Sequence, residues 1–208
     1  MADRGSTGVL YHALPNSRQE IDAAAASFGN QRTTLLTGAA ATKAAIKESE
    51  LGRYRVLHFA VHGLADDIHP DRAALVLLSD SKTGEDGLLS ATEIAQLQLS
   101  ADLVILSACD TAVGSIEGQG GIATLSRSFM LAGARSVIST LWAVDDDSSL
   151  ALLKEFYEHF EKTAAPSESL AFAKRVMLAK FRKAIVPYYW ASFSFEGVPK
   201  SAIAHYAK

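Results

Sequence analysis

The sequence predicts an α/β protein in which a mainly parallel central sheet lies between layers of helices. Short, nearly continuous apolar runs such as Val56 to Val61 and Asp102 to Leu106 are typical of strands covered on both faces. Segments with apolar residues at helical spacing alternate with these runs, which is the pattern of a parallel sheet. With 208 residues, 49% of them hydrophobic, the chain can bury a sizeable core in one domain.

The N-terminal part of the chain predicts two helices followed by two strands. Ala23 to Ala26 favour a short first helix, and Ala39 to Leu51 is Ala-rich with interspersed Lys and Glu. The apolar run from Val56 to Val61 predicts a buried strand that ends at His62-Gly63. Ala74 to Leu78 is a second short run of the same kind.

The C-terminal part predicts strands and helices in alternation. Ser90 and Glu93 have the spacing of a capping box, so a helix begins there and ends near Leu99. The strand from Asp102 to Leu106 leads to Cys109. The remaining predicted elements are a Gly-rich loop Val113–Gly121, a helix from about Ile122 to Ala132 ending at Gly133, a strand Ser136–Leu141, helices Ser148–Glu161 and Ser169–Ile185, and a last strand Trp190–Phe195.

The composition excludes several classes of partner. With 20 basic and 23 acidic residues the formal charge is -3, which gives no general attraction to nucleic acid or anionic lipid. No stretch approaches the roughly 20 apolar residues that span a bilayer, and Met1 to Gly5 lack the apolar core of a signal peptide. A lone cysteine suits a reducing compartment. We therefore expect a cytoplasmic protein that binds neither membrane nor nucleic acid by itself.

His62 and Cys109 form the pair of residues best suited to chemistry. A cysteine nucleophile needs a base to form its thiolate, and an imidazole supplies that base near neutral pH. The oxyanion needs backbone N–H donors, which glycine-containing turns at strand ends can supply, and Gly63 directly follows the histidine. The spacing of 47 residues leaves room for a crossover between neighbouring strands, although spacing alone does not make the two strand ends neighbours.

Several motifs, in order, resemble those of one family. The segments Val56–Gly63 and Leu103–Ala112 resemble the two catalytic blocks of CHAT domains, bacterial relatives of caspases and separases. Four further segments look like landmarks of the same family: Gly87–Ile94, Glu117–Gly121, Ser139–Asp146 and Pro187–Phe193. The resemblance covers roughly Leu14 to Gly197.

This resemblance implies a fold, a reaction and residue roles. The fold is the caspase-like three-layer αβα sandwich, here a single peptidase domain over residues 1–208. The reaction is hydrolysis of protein or peptide substrates through a thioester acyl-enzyme, without metal or organic cofactor. His62 is the general acid/base, Cys109 the nucleophile, and the N–H groups of Gly63 and Cys109 form the oxyanion hole. Family members commonly carry further strands and helical repeats upstream, so we expect regulation by an activating protein or helical-repeat domain and a chain that serves as a module.

His58 has two interpretations, a satisfied core histidine or a residue that supports the site. Four residues along a strand span about 13 Å, whereas nitrogen ligands lie about 2 Å from one zinc ion. His58 and His62 therefore cannot share a metal on a strand. We expect His58 either to satisfy its polar atoms in the core or to support the site from behind, on the same strand face as His62.

The residues after the strand Ser136–Leu141 are candidates for substrate binding. In caspase-like enzymes the segment after this strand lines the substrate pocket, so by resemblance Trp142, Asp145 and Asp146 would line it. The acidic residues, Asp146 in particular, would then select a basic residue of the substrate. The alternative is that these aspartates, with Asp147, cap the following helix.

Other features fit structural roles or rival functions. Residues 113–121 are either an ordinary connection or a loop that orders over the site, and they lack the Lys-Ser/Thr ending of a P-loop. Tyr188, Tyr189 and Trp190 are expected to pack in the core. The rival function is a catalytically silent CHAT-type protein-interaction module. A nucleotide binder is disfavoured because His62-Gly63 is not a dinucleotide fingerprint.

Overall fold

The computed structural model describes residues 14–29, 32–64, 69, 72–79, 84–107, 119–142, 145–180 and 186–199. The strands in these ranges are β1 (Val56–Phe59), β2 (His62–Leu64), β3 (Ala74–Val76), β4 (Leu88–Ser90), β5 (Leu103–Leu106), β6 (Ser136–Thr140) and β7 (Phe193–Gly197). The α-helices are α1 (Ser17–Phe28), α2 (Lys43–Glu48), α3 (Ala91–Ala95), α4 (Gln119–Leu131), α5 (Asp146–Thr163), α6 (Pro166–Lys180) and α7 (Pro187–Trp190).

The central sheet has four strands in the order β1-β5-β6-β7. β1, β5 and β6 run parallel, and β7 is antiparallel to β6. Every residue of β5 and β6 is buried, as expected for strands covered on both faces. The predicted mainly parallel sheet is therefore confirmed.

Two apolar clusters cover the two faces of this sheet. Alternate residues of β5 point to opposite faces: Val104 and Leu106 join a cluster with residues of α3 and α4, whereas Leu103 and Ile105 join one with residues of α5 and α6. The second cluster also includes Phe28 of α1. The described elements thus form the three layers of an αβα sandwich, as predicted.

A second, antiparallel sheet of three strands stands apart from the central one. Its order is β2-β3-β4. The predicted strand from Ala74 to Leu78 is β3, shorter than expected and in this separate sheet. β4 then leads into α3, where the predicted capping box is confirmed: the Glu93 N–H donates to Ser90 Oγ at 3.3 Å, and the Ser90 N–H donates to Glu93 Oε2 at 3.0 Å.

Other predicted elements also differ in their bounds from those observed. In place of the helix expected from Ala39 to Leu51 the structure has the short α2. It begins only after Thr42, whose hydroxyl oxygen caps it by accepting from the Ala45 N–H. The helix expected from Ile122 begins earlier, at Gln119, and its chain turns at Gly133 as predicted, with φ +112°. The strand expected from Trp190 begins only at Phe193. Pro187–Trp190 form the short helix α7 instead, because Pro187 presets a helical φ where no N–H is needed.

Candidate active site

The carboxyl ends of β1, β5 and β6 meet at one edge of the central sheet, because these strands are parallel. Phe59, at the end of β1, is paired with Leu106, at the end of β5. The N–H of the next residue, the buried Ser107, donates to the Phe59 carbonyl oxygen at 3.0 Å. In open α/β sheets, ligands and catalytic groups gather at this edge.

His62 and Gly63 follow β1 but lie in the second sheet. Instead of ending the first strand, as the sequence suggested, His62 is the first residue of β2 and is paired with Val76, while the buried Gly63 is paired with Leu75. The difference arises because β1 ends at Phe59, after which the chain becomes extended again and pairs with β3. The His62 side chain is half-buried.

Cys109 lies outside the described residues, as does most of the predicted Gly-rich loop. Ser107 is the last described residue before it, and the structure resumes at Gln119, the first residue of α4. The predicted roles of Cys109 as nucleophile and oxyanion-hole donor are therefore untested by the geometry.

His58 lies on β1 in a buried polar network on the α1 and α5 side of the sheet. Its Nε2 is 2.6 Å from Glu20 Oε1 of α1, and its Nδ1 is 2.8 Å from the Tyr157 hydroxyl of α5. Burial, followed by the charge of Glu20, raises the pKa of Tyr157 well above its ordinary value. Because His58 and His62 lie on different strands, the expectation that they share one strand face is wrong.

Glu20 and Tyr157 were not among the residues singled out from the sequence. They stand 38 residues before and 99 residues after His58. The sequence offers only a weak local signal, since Glu20 lies in the first turn of α1, where acidic residues are common. Its burial, unusual for a glutamate, is seen only in the structure.

The acidic residues after β6 are held partly by the start of α5 and partly by Asn16, before α1. Asp145 caps α5, with its Oδ1 accepting from the Ser148 N–H at 2.9 Å and from the Ser148 hydroxyl at 2.7 Å. The Asn16 N–H donates to Asp146 Oδ2 at 2.9 Å, and its side-chain amide donates to Asp147 Oδ1 at 2.6 Å. The capping alternative is thus observed for Asp145, and the other two carboxylates tie the start of α1 to α5.

Aromatic side chains lie beside these residues at the same edge. Trp142 is half-buried two residues after β6, and its indole N–H donates to the Tyr188 carbonyl oxygen at 3.2 Å. Tyr188 and Tyr189 are 41% and 42% exposed, so the expectation that they pack in the core is wrong. The short helix α7 turns both rings outward and buries only part of Trp190 against the α5 and α6 cluster.

The described ranges contain neither a cluster suited to a metal ion nor a membrane-spanning helix. Within them, no group of three or more His, Cys, Asp or Glu side chains could hold a metal ion. None of the helices in the same ranges has both the length and the apolar character needed to cross a bilayer.

Comparisons with known proteins identify similar sequences. A family model described as CHAT domain matches residues 3–198. Tetratricopeptide repeat protein 28 of Mus musculus is 32% identical over 131 residues, 62% of this chain. Tetratricopeptide repeat protein 28 of Homo sapiens is 31% identical over 121 residues, 58% of this chain. Each alignment spans only 5% of the relative's own length.

Proposed function

Because the chain belongs to the CHAT domain family, whose fold is that of caspase-like cysteine peptidases, we propose that it is a cysteine endopeptidase with a Cys109–His62 dyad. Its substrates are proteins or peptides, and the acyl-enzyme is a thioester on the single cysteine. The chemistry requires no cofactor, because sulfur and imidazole supply the nucleophile and the proton transfers.

The observation that carries this proposal is the hydrogen bond from the Ser107 N–H to the Phe59 carbonyl oxygen. It joins the ends of β1 and β5, and the two dyad residues come shortly after them: Cys109 two residues after Ser107, and His62 three residues after Phe59. Consecutive Cα atoms are only about 3.8 Å apart. Cys109 and His62 therefore stand only two and three residues along the chain from a point where β1 and β5 are joined, which supports their pairing.

The proposed reaction has two steps. The Cys109 thiolate attacks the scissile carbonyl carbon, and the N–H groups of Gly63 and Cys109 stabilise the oxyanion. The peptide C–N bond breaks as His62 protonates the leaving amine, and the thioester remains. His62 then takes a proton from water, which attacks the thioester. The C–S bond breaks, the acid product leaves, and the dyad is restored.

We propose that Trp142, Asp145 and Asp146 form one wall of the substrate-binding site. The half-buried Trp142 offers an apolar wall, and Asp146 keeps one carboxylate oxygen that Asn16 does not use. A carboxylate in such a partly buried position favours a cation, so a Lys or Arg side chain of the substrate is the expected ligand. Asp145 is already bonded to Ser148 and contributes by fixing the start of α5.

Regulation by another domain is part of the proposal. The relatives are named as tetratricopeptide repeat proteins, and this chain matches only 5% of their length. This supports a peptidase module that an attached helical-repeat domain or a partner protein activates. The lone cysteine supports a reducing, cytoplasmic location.

The test compares covalent labelling of three proteins: the parent chain, His62→Ala and His69→Ala. An iodoacetamide probe reports thiol reactivity, and an acyloxymethylketone with a basic residue reports a dyad that accepts a substrate-like ligand. We expect His62→Ala to slow both reactions at Cys109 at least tenfold, within the usual contribution of a general base of about 10² to 10⁴. The exposed His69 is the matched control and should leave both rates unchanged.

Cys109→Ser must abolish labelling, because the chain has no other cysteine. Labelling of the parent chain at the rate of an ordinary thiol, with no dependence on His62, would refute the peptidase and favour the catalytically silent interaction module.

A further inference from the structure

The Glu20–His58–Tyr157 network connects three elements of the fold through two hydrogen bonds. The side chains of Glu20 and His58 are only 3% and 8% exposed, and Tyr157 is fully buried. The contacts of 2.6 and 2.8 Å engage both ring nitrogens of His58, so the orientation of the imidazole is fixed from both sides. The network therefore connects α1 and α5 to β1 at a single residue.

The position of the network on β1 relates it to the proposed site. His58 immediately precedes Phe59, whose carbonyl oxygen accepts the hydrogen bond from Ser107 at the end of β5. His62 follows three residues after Phe59. A change in the placement of His58 therefore acts on the last hydrogen bond between β1 and β5, which His62 and Cys109 follow by three and two residues in the sequence.

α1 is held in place independently of Glu20. Asn16 ties its N-terminus to Asp146 and Asp147, and Phe28 packs edge-on against Tyr157 and Phe160 near its other end. Glu20 is thus presented to His58 by a docked helix. Burying a carboxylate costs several kcal/mol unless it is paired, and an apolar pair of similar volume is often as stable. A role beyond stability would account for a carboxylate at this position.

The same three groups also have the order of a carboxylate–imidazole–hydroxyl triad, which raises the question of a second active site. Tyr157 is enclosed by the α1 and α5 layer, and its ring packs against Phe28 and Phe156. A substrate carbonyl has no route to this buried hydroxyl in the part of the fold that is described. The network is suited to holding β1, not to attacking a substrate.

We propose that Glu20 is a positioning residue of the active site, acting through His58 to hold the end of β1 in the register that the Cys109–His62 dyad requires. This inference rests on the proposed peptidase function. The role proposed for Glu20 is indirect, because its carboxylate bonds to the imidazole of His58. Its effect reaches the reaction only through the imidazole of His58 and the strand that carries it.

The experiment measures inactivation of the full chain by the basic acyloxymethylketone, with kinact and KI determined from pH 5 to 9. Glu20→Gln keeps the shape of the side chain and removes its charge, and His58→Gln removes the imidazole. Asp22→Asn is the matched control, because Asp22 lies on the same helix and pairs with Arg18 at the surface. A misplacement of about 1 Å can cost a hundredfold in rate.

We expect Glu20→Gln and His58→Gln each to lower kinact ten- to a hundredfold, while KI stays within twofold of the parent value. The pH at which kinact reaches half of its maximum should also shift. Asp22→Asn should change neither constant more than twofold. The double variant Glu20→Gln/His58→Gln should have the same kinact as His58→Gln alone, because the effects of two residues that act through one path are not additive. Loss of stability alone would lower the melting temperature, but the protein that stays folded would keep the pH profile of kinact seen in the parent chain.

Tyr157→Phe provides a second test if Glu20→Gln does not fold, since it removes only the hydroxyl and should lower kinact by at least threefold. Unchanged kinact in the variants, or effects that multiply in the double variant, would overturn the positioning role while the peptidase stands. Inactivation of the parent chain that is independent of His62 would instead overturn the peptidase itself, and the positioning role with it.

Discussion

Replacing Glu93 by Gln is expected to lower the free energy of unfolding in a pH-dependent manner. Glu93 accepts hydrogen bonds from the Ser90 N–H and the Ser90 hydroxyl and forms ion pairs with Lys43 at 2.8 Å and Lys47 at 2.9 Å. Burial alone would raise its pKa, but the hydrogen bonds from Lys43, Lys47 and Ser90 lower the pKa to about 2, from an ordinary value of 4.5.

The size of the effect follows from this difference in pKa. The lowering of the pKa from 4.5 to about 2 corresponds to roughly 3.4 kcal/mol. The side chain is 26% exposed and its partner Lys47 is 40% exposed, so solvent screening reduces the expected contribution to about 1.5–2 kcal/mol. Because the folded-state pKa is lowered, this stability is fully present above pH 4.5 and is lost as the pH falls toward 2.

Urea unfolding at pH 7, 5 and 3 measures this contribution. The free energy of unfolding of the parent chain should exceed that of Glu93→Gln by about 1.5–2 kcal/mol at pH 7. This difference should narrow steadily as the pH falls from 4.5 to 2. Glu168→Gln is the control, since Glu168 is an exposed acidic residue in the first turn of α6 and should contribute about 0.3–1 kcal/mol. A gap between the parent chain and Glu93→Gln that is as large at pH 3 as at pH 7 would refute the reasoning.

Three further predictions follow from single positions. Gly133→Ala should destabilise the chain by about 3 kcal/mol or more in urea unfolding, because φ is +112° and the new Cβ would lie 2.3 Å from the Leu99 carbonyl oxygen. Asp145→Ala should remove the α5 cap and cost about 1 kcal/mol in the same assay. Asp146→Asn should raise KM for a peptide with a basic residue at the cleavage site about tenfold, the equivalent of about 1.4 kcal/mol.

Each of these predictions has a matched control. Gly84 also has a positive φ but leaves open space for a Cβ, so Gly84→Ala should cost only about 1 kcal/mol. An equal loss in both glycine variants would contradict the steric argument. Asp145→Asn keeps the capping oxygen and should stay within a few tenths of a kcal/mol of the parent chain. For Asp146→Asn, an equal rise in KM with a neutral peptide would contradict a role in binding the cation.

Much of the fold could be predicted because it depends on short-range patterns. The apolar runs at β1 and β5 and the Ser90–Glu93 spacing predict strands and a helix start from residues only a few positions apart. The prediction was less accurate where contacts with residues distant in the sequence determine the secondary structure. The chain near His62 looked like the end of a strand, yet it begins β2 because β3 offers a partner for pairing.

The candidate site shows the same division. Cys109 and His62 stand out from the sequence because reactive residues follow two buried strands. Their surroundings do not stand out: Tyr188 and Tyr189 looked like core residues and are exposed, because α7 replaces the expected start of the last strand. The hydrophobicity of an aromatic residue is the same on a strand or a helix. Whether its ring is buried depends on the secondary structure that the backbone adopts there.

The sequence by itself determined the α/β class and the order of the buried strands along the chain, and it singled out Cys109 and His62 as candidates for catalysis, because these depend on local periodicity and side-chain chemistry. Only the tertiary structure decided that Glu20 and Tyr157 meet His58, and that Asn16 binds the start of α5. The physical reason is that periodicity specifies which face of an element is buried, whereas the partner on that face depends on the order of the sheet and the packing of distant helices.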